Sequence, residues 1–149
     1  MTREYIQKQV QELISRFETR DPARIAEALG ISIKYADIGS LKGLYTIVLK
    51  NRFIVVNESL GESQQRLILA HELGHDRLHR HFINDILQET MLYDMTSQPE
   101  HEANLFASEL LIDRDKAHAM AKEGATVEQI AAQFEVEAQL IEILFANTL

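Results

Sequence analysis

Cysteine is absent from this 149-residue chain, which excludes disulfide staples, thiolate metal ligands and a cysteine nucleophile. Any metal site must therefore be built from histidine and carboxylate. No apolar run approaches the roughly 20 residues needed to cross a bilayer, and Met1-Thr2-Arg3-Glu4-Tyr5-Ile6-Gln7-Lys8 holds no apolar signal core. A cytoplasmic protein without a membrane role is expected. Basic residues are outnumbered, 15 Lys and Arg against 23 Asp and Glu for a formal net charge of −8. That balance argues against direct nucleic-acid binding, which needs Lys and Arg clustered on one surface. Proline occurs only twice, at Pro22 and Pro99, each at a point that reads as a helix start. Repeats, low-complexity tracts and linkers are lacking, and the length suits one domain, so residues 1–149 are expected to form a single unit.

The apolar pattern changes period along the chain. Ile6, Val10, Leu13, Ile14 and Phe17 recur at steps of three and four and predict an amphipathic helix. Asp21-Pro22 caps a second, short helix that Gly30 ends. From Ile31 the period shortens, and 31–35, 44–49 and 52–57 are rich in β-branched and aromatic residues, as strands are. Lys50-Asn51 is expected to turn the chain in a two-residue hairpin, without the Asn-Gly signal such turns favour. A long helix should then run from Gly61–Ser63 to about His81. Residues 83–95 have no clean period and read as a short helix or loop. Ser97-Gln98-Pro99 opens a further helix ending near Ile112, Asp113 caps a short one stopping at Gly124, Thr126 and Gln129 form a capping box before 127–134, and a last helix carries Leu140, Ile141, Leu144 and Phe145.

Within the long helix, His71-Glu72-Leu73-Gly74-His75 reads HExxH. An α-helix turns about 100° per residue, so His71 and His75 stand one turn apart on the same face and can bind one Zn²⁺ ion. Glu72 projects from beside the first ligand, placed to act as general base on a metal-activated water. The apolar approach Leu67-Ile68-Leu69-Ala70 suits a buried helix better than a solvated one carrying two surface histidines.

A catalytic zinc site commonly takes a third protein ligand. His81 has the spacing of HExxHxxGxxH, but Leu78 holds the place of the glycine that turns the chain back to the metal, and a continuing helix carries His81 away. Glu100 and Glu102 lie on the later helix. Glu100 and Asn104 share a face, so one can ligate while the other hydrogen-bonds a ligand histidine. Glu102 stands about 200° from Glu100, and if Glu100 faces the metal then Glu102 faces away. His79 continues the histidine face as a second-shell group or an oxyanion donor, Tyr93 and His101 are candidates for a transition-state hydrogen bond, and His118 reads as solvated.

Taken together, Arg66-Leu67-Ile68-Leu69-Ala70-His71-Glu72-Leu73-Gly74-His75 with Leu78-His79, followed by Glu100-His101-Glu102-Ala103-Asn104-Leu105-Phe106-Ala107 and Leu110-Leu111, resembles the ImmA/IrrE family of metallopeptidases over most of the chain. The resemblance implies a compact gluzincin-like fold, zinc held by His71, His75 and Glu100, Glu72 as general base, and cleavage of a helix-turn-helix repressor, often encoded nearby on a mobile element. Ile112-Asp113 departs from the Met-Pro of many relatives, and the chain is expected to lack the sensory domain some carry. The resulting fold class is α+β: a small, largely antiparallel three-stranded sheet packed on a helical zincin-like core with an HExxH helix and a helical C-terminal tail.

A non-catalytic regulatory or anti-repressor module that keeps a metal site is the competing expectation, with a DNA-binding regulator as its variant. Residues 21–31 and 126–145 have short helix-turn-helix character. Neither carries a recognition cluster of Arg, Lys, Asn or Gln, and Glu128, Glu135, Glu137 and Glu142 would repel phosphate.

Overall fold

The computed structural model describes residues 1–82, 88–90 and 97–146. Helix α1, Arg3–Phe17, starts where the Thr2 side chain accepts from the Tyr5 N–H and stops at Glu18, whose left-handed backbone (φ 55°) returns its N–H to the Ile14 carbonyl. Its buried stripe is Ile6, Val10 and Leu13. Helix α2, Pro22–Ala28, has Asp21 as its cap and proline in its first turn. Gly30 leaves it at φ 81°, a conformation that suits a residue without a Cβ.

Three strands follow: β1 Ser32–Ala36, β2 Gly43–Val48 and β3 Asn51–Asn57. The β2–β3 hairpin is present, but its turn is Leu49-Lys50, one residue earlier than expected, with both residues left-handed (φ 50° and 67°) and Val48 paired to Asn51. That is the geometry of a type I′ turn, made without the residues it favours. β1 joins β3 in parallel.

The expected three-stranded sheet acquires a fourth member. β4, Gln88–Thr90, pairs antiparallel with β2 from Gly43 to Tyr45, giving a mixed sheet of order β1-β3-β2-β4. It falls in the stretch read as a short helix or loop. Three mostly polar residues are too few to display a period of two, and their extended form comes from the available edge of β2.

Helix α3, Glu62–His79, ends two residues short of the expectation and passes into a 3-10 turn over Arg80–Phe82. It lies with the sheet on one side and helix α4, Gln98–Leu111, on the other, so every residue from Leu67 to Asp76 is buried. Two glycines allow this closeness. A Cβ on Gly43 would lie 2.3 Å from Ile68 Cγ2, and one on Gly74 would meet the Phe106 side chain at 3.1 Å. The tail consists of α5 Arg114–Lys122, α6 Val127–Phe134, with its Thr126–Gln129 capping box formed, and α7 Ala138–Phe145. Leu140, Ile141 and Leu144 of α7 join the same hydrophobic cluster as α1 and α3, giving an α+β architecture.

Candidate metal centre

The 3.6-residue turn of α3 sets the His71 and His75 rings edge to face with centroids 4.8 Å apart. Across from them, Ser97 caps α4 by accepting the Glu100 N–H at 3.3 Å, and this first turn carries Glu100 toward α3. Glu100 Oε2 lies 3.0 Å from His71 Nε2 and its Oε1 lies 2.8 Å from His75 Nε2. The three residues are buried and offer ligand atoms all within 4.8 Å of one another. A tetrahedral ion with bonds near 2.0–2.1 Å spaces its ligands about 3.4 Å apart, so small adjustments suffice to hold one.

Hydrogen-bond chemistry provides a test of fit. His71 Nδ1 is 2.8 Å from Asn104 Oδ1, an acceptor, so Nδ1 carries the proton and, in the neutral ring, Nε2 presents a lone pair to a carboxylate oxygen. A lone pair and a carboxylate oxygen 3.0 Å apart are satisfied by a cation between them, a proton or a metal ion. His75 Nε2 is buried and, despite its nearness to Glu100, has no well-formed hydrogen bond among the described residues. The donor set, two imidazoles and one carboxylate, suits zinc and similar divalent ions.

Electrostatics separates the two carboxylates. Burial, reinforced by the charge of Glu100, pushes the Glu72 carboxyl well above its usual range. Burial would also raise Glu100, but its contacts with His71 and His75 outweigh that and hold it at about 2. Burial lowers the His75 imidazole to about 4, against the opposing pull of Glu100. At neutral pH the ring is thus uncharged, the form that binds metal.

The remaining candidates are dispersed. His79 lies in the cluster, its Nδ1 3.0 Å from His75 Nδ1. His81 is exposed on the turn after α3, away from the group. His101 is half-buried on α4 and outside the three-residue group; Tyr93 lies outside the described residues. His118 is exposed, with its ring 4.8 Å from that of Phe145. Glu102, expected to face away from the metal if Glu100 faces it, is outside the three-residue group but is not solvated. It is buried, its Oε1 is 3.0 Å from His79 Nε2, and its Oε2 takes the Met1 ammonium at 2.7 Å and Gln98 Nε2 at 3.3 Å. The 200° offset from Glu100 is real, but α4 is buried from Glu102 to Leu110, so the opposite flank meets protein rather than water. Despite burial, these partners keep the Glu102 carboxyl below its usual range.

Asp76 is a second group that pattern reading passes over. This buried carboxylate beside His75 accepts from Tyr45 at 2.5 Å and from Arg52 at 2.8 and 3.0 Å. A charged residue at the end of a ten-residue buried stretch, between His75 and the next apolar residue Leu78, is the signal that could have found it.

Comparison with known proteins adds independent findings. The sequence pattern of the peptidase M78 family, described as the IrrE N-terminal-like domain, matches residues 26–143. The chain is 33% identical over 135 residues to Metallopeptidase ImmA of Bacillus subtilis strain 168, covering 88% of this chain and 78% of that protein. It is 29% identical over 139 residues to uncharacterized immunity region protein 2 of Bacillus phage phi105, covering 93% of this chain and 87% of that protein.

Proposed function

The chain belongs to the IrrE/ImmA-like metallopeptidase family, and from that premise we propose that residues 1–149 act as one domain, a zinc-dependent endopeptidase of the cytoplasm that cuts a helix-turn-helix repressor. The observation that carries the reading is the buried Glu100 carboxylate set 3.0 and 2.8 Å from the Nε2 atoms of His71 and His75, three metal-ligating groups on one spot. In this proposal those three residues hold zinc and Asn104 fixes the His71 ring. A bound zinc ion would supply Lewis acidity, polarising the scissile carbonyl and lowering the pKa of water.

Glu72 would take the proton of the attacking water and return it to the leaving amine. Its burial beside the ligand set keeps it out of bulk water, where it can exchange a proton with the attacking water. His101 or Tyr93 would donate to the developing oxyanion. The sheet supports an extended substrate. A Cβ on Gly43 would lie 3.5 Å from Glu72 Oε1, and β4 pairs with β2 at this same residue. An extended segment beside β2 at Gly43, the place β4 takes in this structure, lies close to the proposed general base. A phage immunity-region protein among the relatives supports a substrate in the control circuit of a mobile element.

The test is incubation of helix-turn-helix repressors from the same genome, any encoded beside this gene first, with wild type and with Glu72→Gln, each assayed for bound zinc. Wild type should cut its repressor at one place. The variant should keep its metal and cut at least ~100-fold more slowly, the loss that removing a general base produces. Undiminished cleavage by Glu72→Gln would remove Glu72 from its role. Repressor binding without cleavage by zinc-loaded wild type would replace the peptidase with an anti-repressor.

A further inference from the structure

Behind His75 runs a chain of contacts that leads away from the proposed metal. His75 Nδ1 is 3.0 Å from His79 Nδ1, His79 Nε2 is 3.0 Å from Glu102 Oε1, and all three side chains are buried. The order of protons along it follows from donor chemistry. An ionised carboxylate only accepts, so His79 Nε2 carries a proton and donates it to Glu102. In a neutral His79 ring, Nδ1 is then the acceptor, and the hydrogen in the 3.0 Å contact belongs to His75 Nδ1. That leaves the lone pair of His75 on Nε2, the atom facing Glu100.

From this geometry we infer that Glu102 and His79 are positioning residues that fix the tautomer and ring angle of His75 so that its Nε2 is ready to ligate. The inference rests on the metallopeptidase reading of the same site and extends it. His71 is oriented by the neutral amide of Asn104, whereas His75 is oriented through a second imidazole by a carboxylate. Histidine ligands regularly lean on a carboxylate or carbonyl, and loss of that support typically weakens metal binding by about 10- to 100-fold. Here one more ring extends the support to the opposite flank of α4.

Glu102→Gln distinguishes this role from simple packing. The side chain keeps its size, but its amide can donate to His79 Nε2. His79 then carries its proton on Nδ1, donates to His75 Nδ1, and moves the His75 proton to Nε2, where it blocks ligation. Zinc affinity is measured by chelator competition, with apo melting temperatures as a check on folding. The tautomer of His79 is read by ¹⁵N NMR of the zinc-loaded wild type, which needs no variant. We expect zinc affinity about 10- to 100-fold lower in Glu102→Gln, an apo melting temperature lowered only by the loss of the Met1 ion pair, and His79 protonated at Nε2 with Nδ1 bare in the wild type. Wild-type zinc affinity in Glu102→Gln, or a proton on His79 Nδ1 in the zinc-loaded wild type, would overturn the inference and leave the metallopeptidase reading intact. A wild type that binds no zinc would overturn both. None of these readouts depends on the identity of the cleaved protein.

Discussion

Asp76 concentrates on one side chain the contacts that fix α3 against the sheet. Tyr45 reaches it from β2 and Arg52 from β3, while Arg52 also donates to the Leu29 carbonyl at the end of α2 and Arg80 lies 3.7 Å away on the following turn. A buried carboxylate is costly unless its lone pairs are satisfied, and here three groups share that task. Tyr45→Phe should therefore destabilise the metal-free protein by about 1.5–3 kcal/mol at pH 8, the worth of a hydrogen bond to a charged group. The pH dependence adds a sign. Burial first, then the bond to Asp76, pushes the Tyr45 hydroxyl up, so the folded state keeps a proton that the unfolded chain releases near pH 10. The contribution is whole below that pH and is lost as pH rises above it, at about 1.4 kcal/mol per unit. Tyr45→Phe lacks this term, so urea unfolding at pH 8 and pH 11 should show the gap between the two proteins narrowing. A gap that stays constant would mean that the hydroxyl is not protected as described.

Among the elements, the β2–β3 hairpin is the least well matched to its sequence. Leu49 is 87% exposed and, with Lys50, holds a left-handed backbone that costs a residue bearing a Cβ about 1–2 kcal/mol. Type I′ turns favour Asn-Gly for this reason. Leu49→Asn combined with Lys50→Gly should raise the melting temperature, by about 1 kcal/mol of stability once the greater freedom of glycine in the unfolded chain is discounted. Zinc affinity should stay unchanged. A lower melting temperature would show that these side chains contribute more than the strain they bear. The same hairpin marks what the sequence conveyed. β-Branched and aromatic residues made both strands readable, yet the turn was displaced by one residue because Asn51, the one turn-forming residue at 49–51, opens β3 opposite Val48 instead of lying in the turn. β4 escaped notice because it exists only through its partner. Helices with caps and proline starts were readable nearly to the residue, as were the pairs His71–His75 and Glu100–Asn104, each a one-turn repeat, whereas the meeting of the two pairs is tertiary packing that only the family resemblance implied. The partners of Glu102 were not readable because helical periodicity reports direction around one axis and cannot tell whether the far flank meets water or protein.

At the scale of the whole molecule, the three proposed ligands come from two helices separated in sequence, and contacts from the start of the chain reinforce the direct packing of α4 on α3. Arg20 donates to the carbonyls of Glu109, Leu110 and Ile112 at 3.0, 3.1 and 3.3 Å, Gln7 donates to Glu109 at 3.2 Å, and the Met1 ammonium meets Glu102. Helix α1 precedes the stretch matched by the family pattern, yet it braces the helix that carries Glu100. A metal ion joining α3 to α4 is available only while this packing persists, so its binding free energy adds to folding stability. At zinc 100-fold above its dissociation constant that addition is about 2.7 kcal/mol. For a chain of this length each kcal/mol raises the melting temperature by about 2–4 °C, giving a rise of about 5–11 °C. Calorimetry with zinc and then with excess chelator should show that rise and its reversal. His75→Ala and Glu100→Ala should each abolish most of the zinc-dependent increment whatever they do to the apo melting temperature. An increment that survives in both variants would place the ion elsewhere and dissolve the link between α3 and α4 on which the proposed site depends.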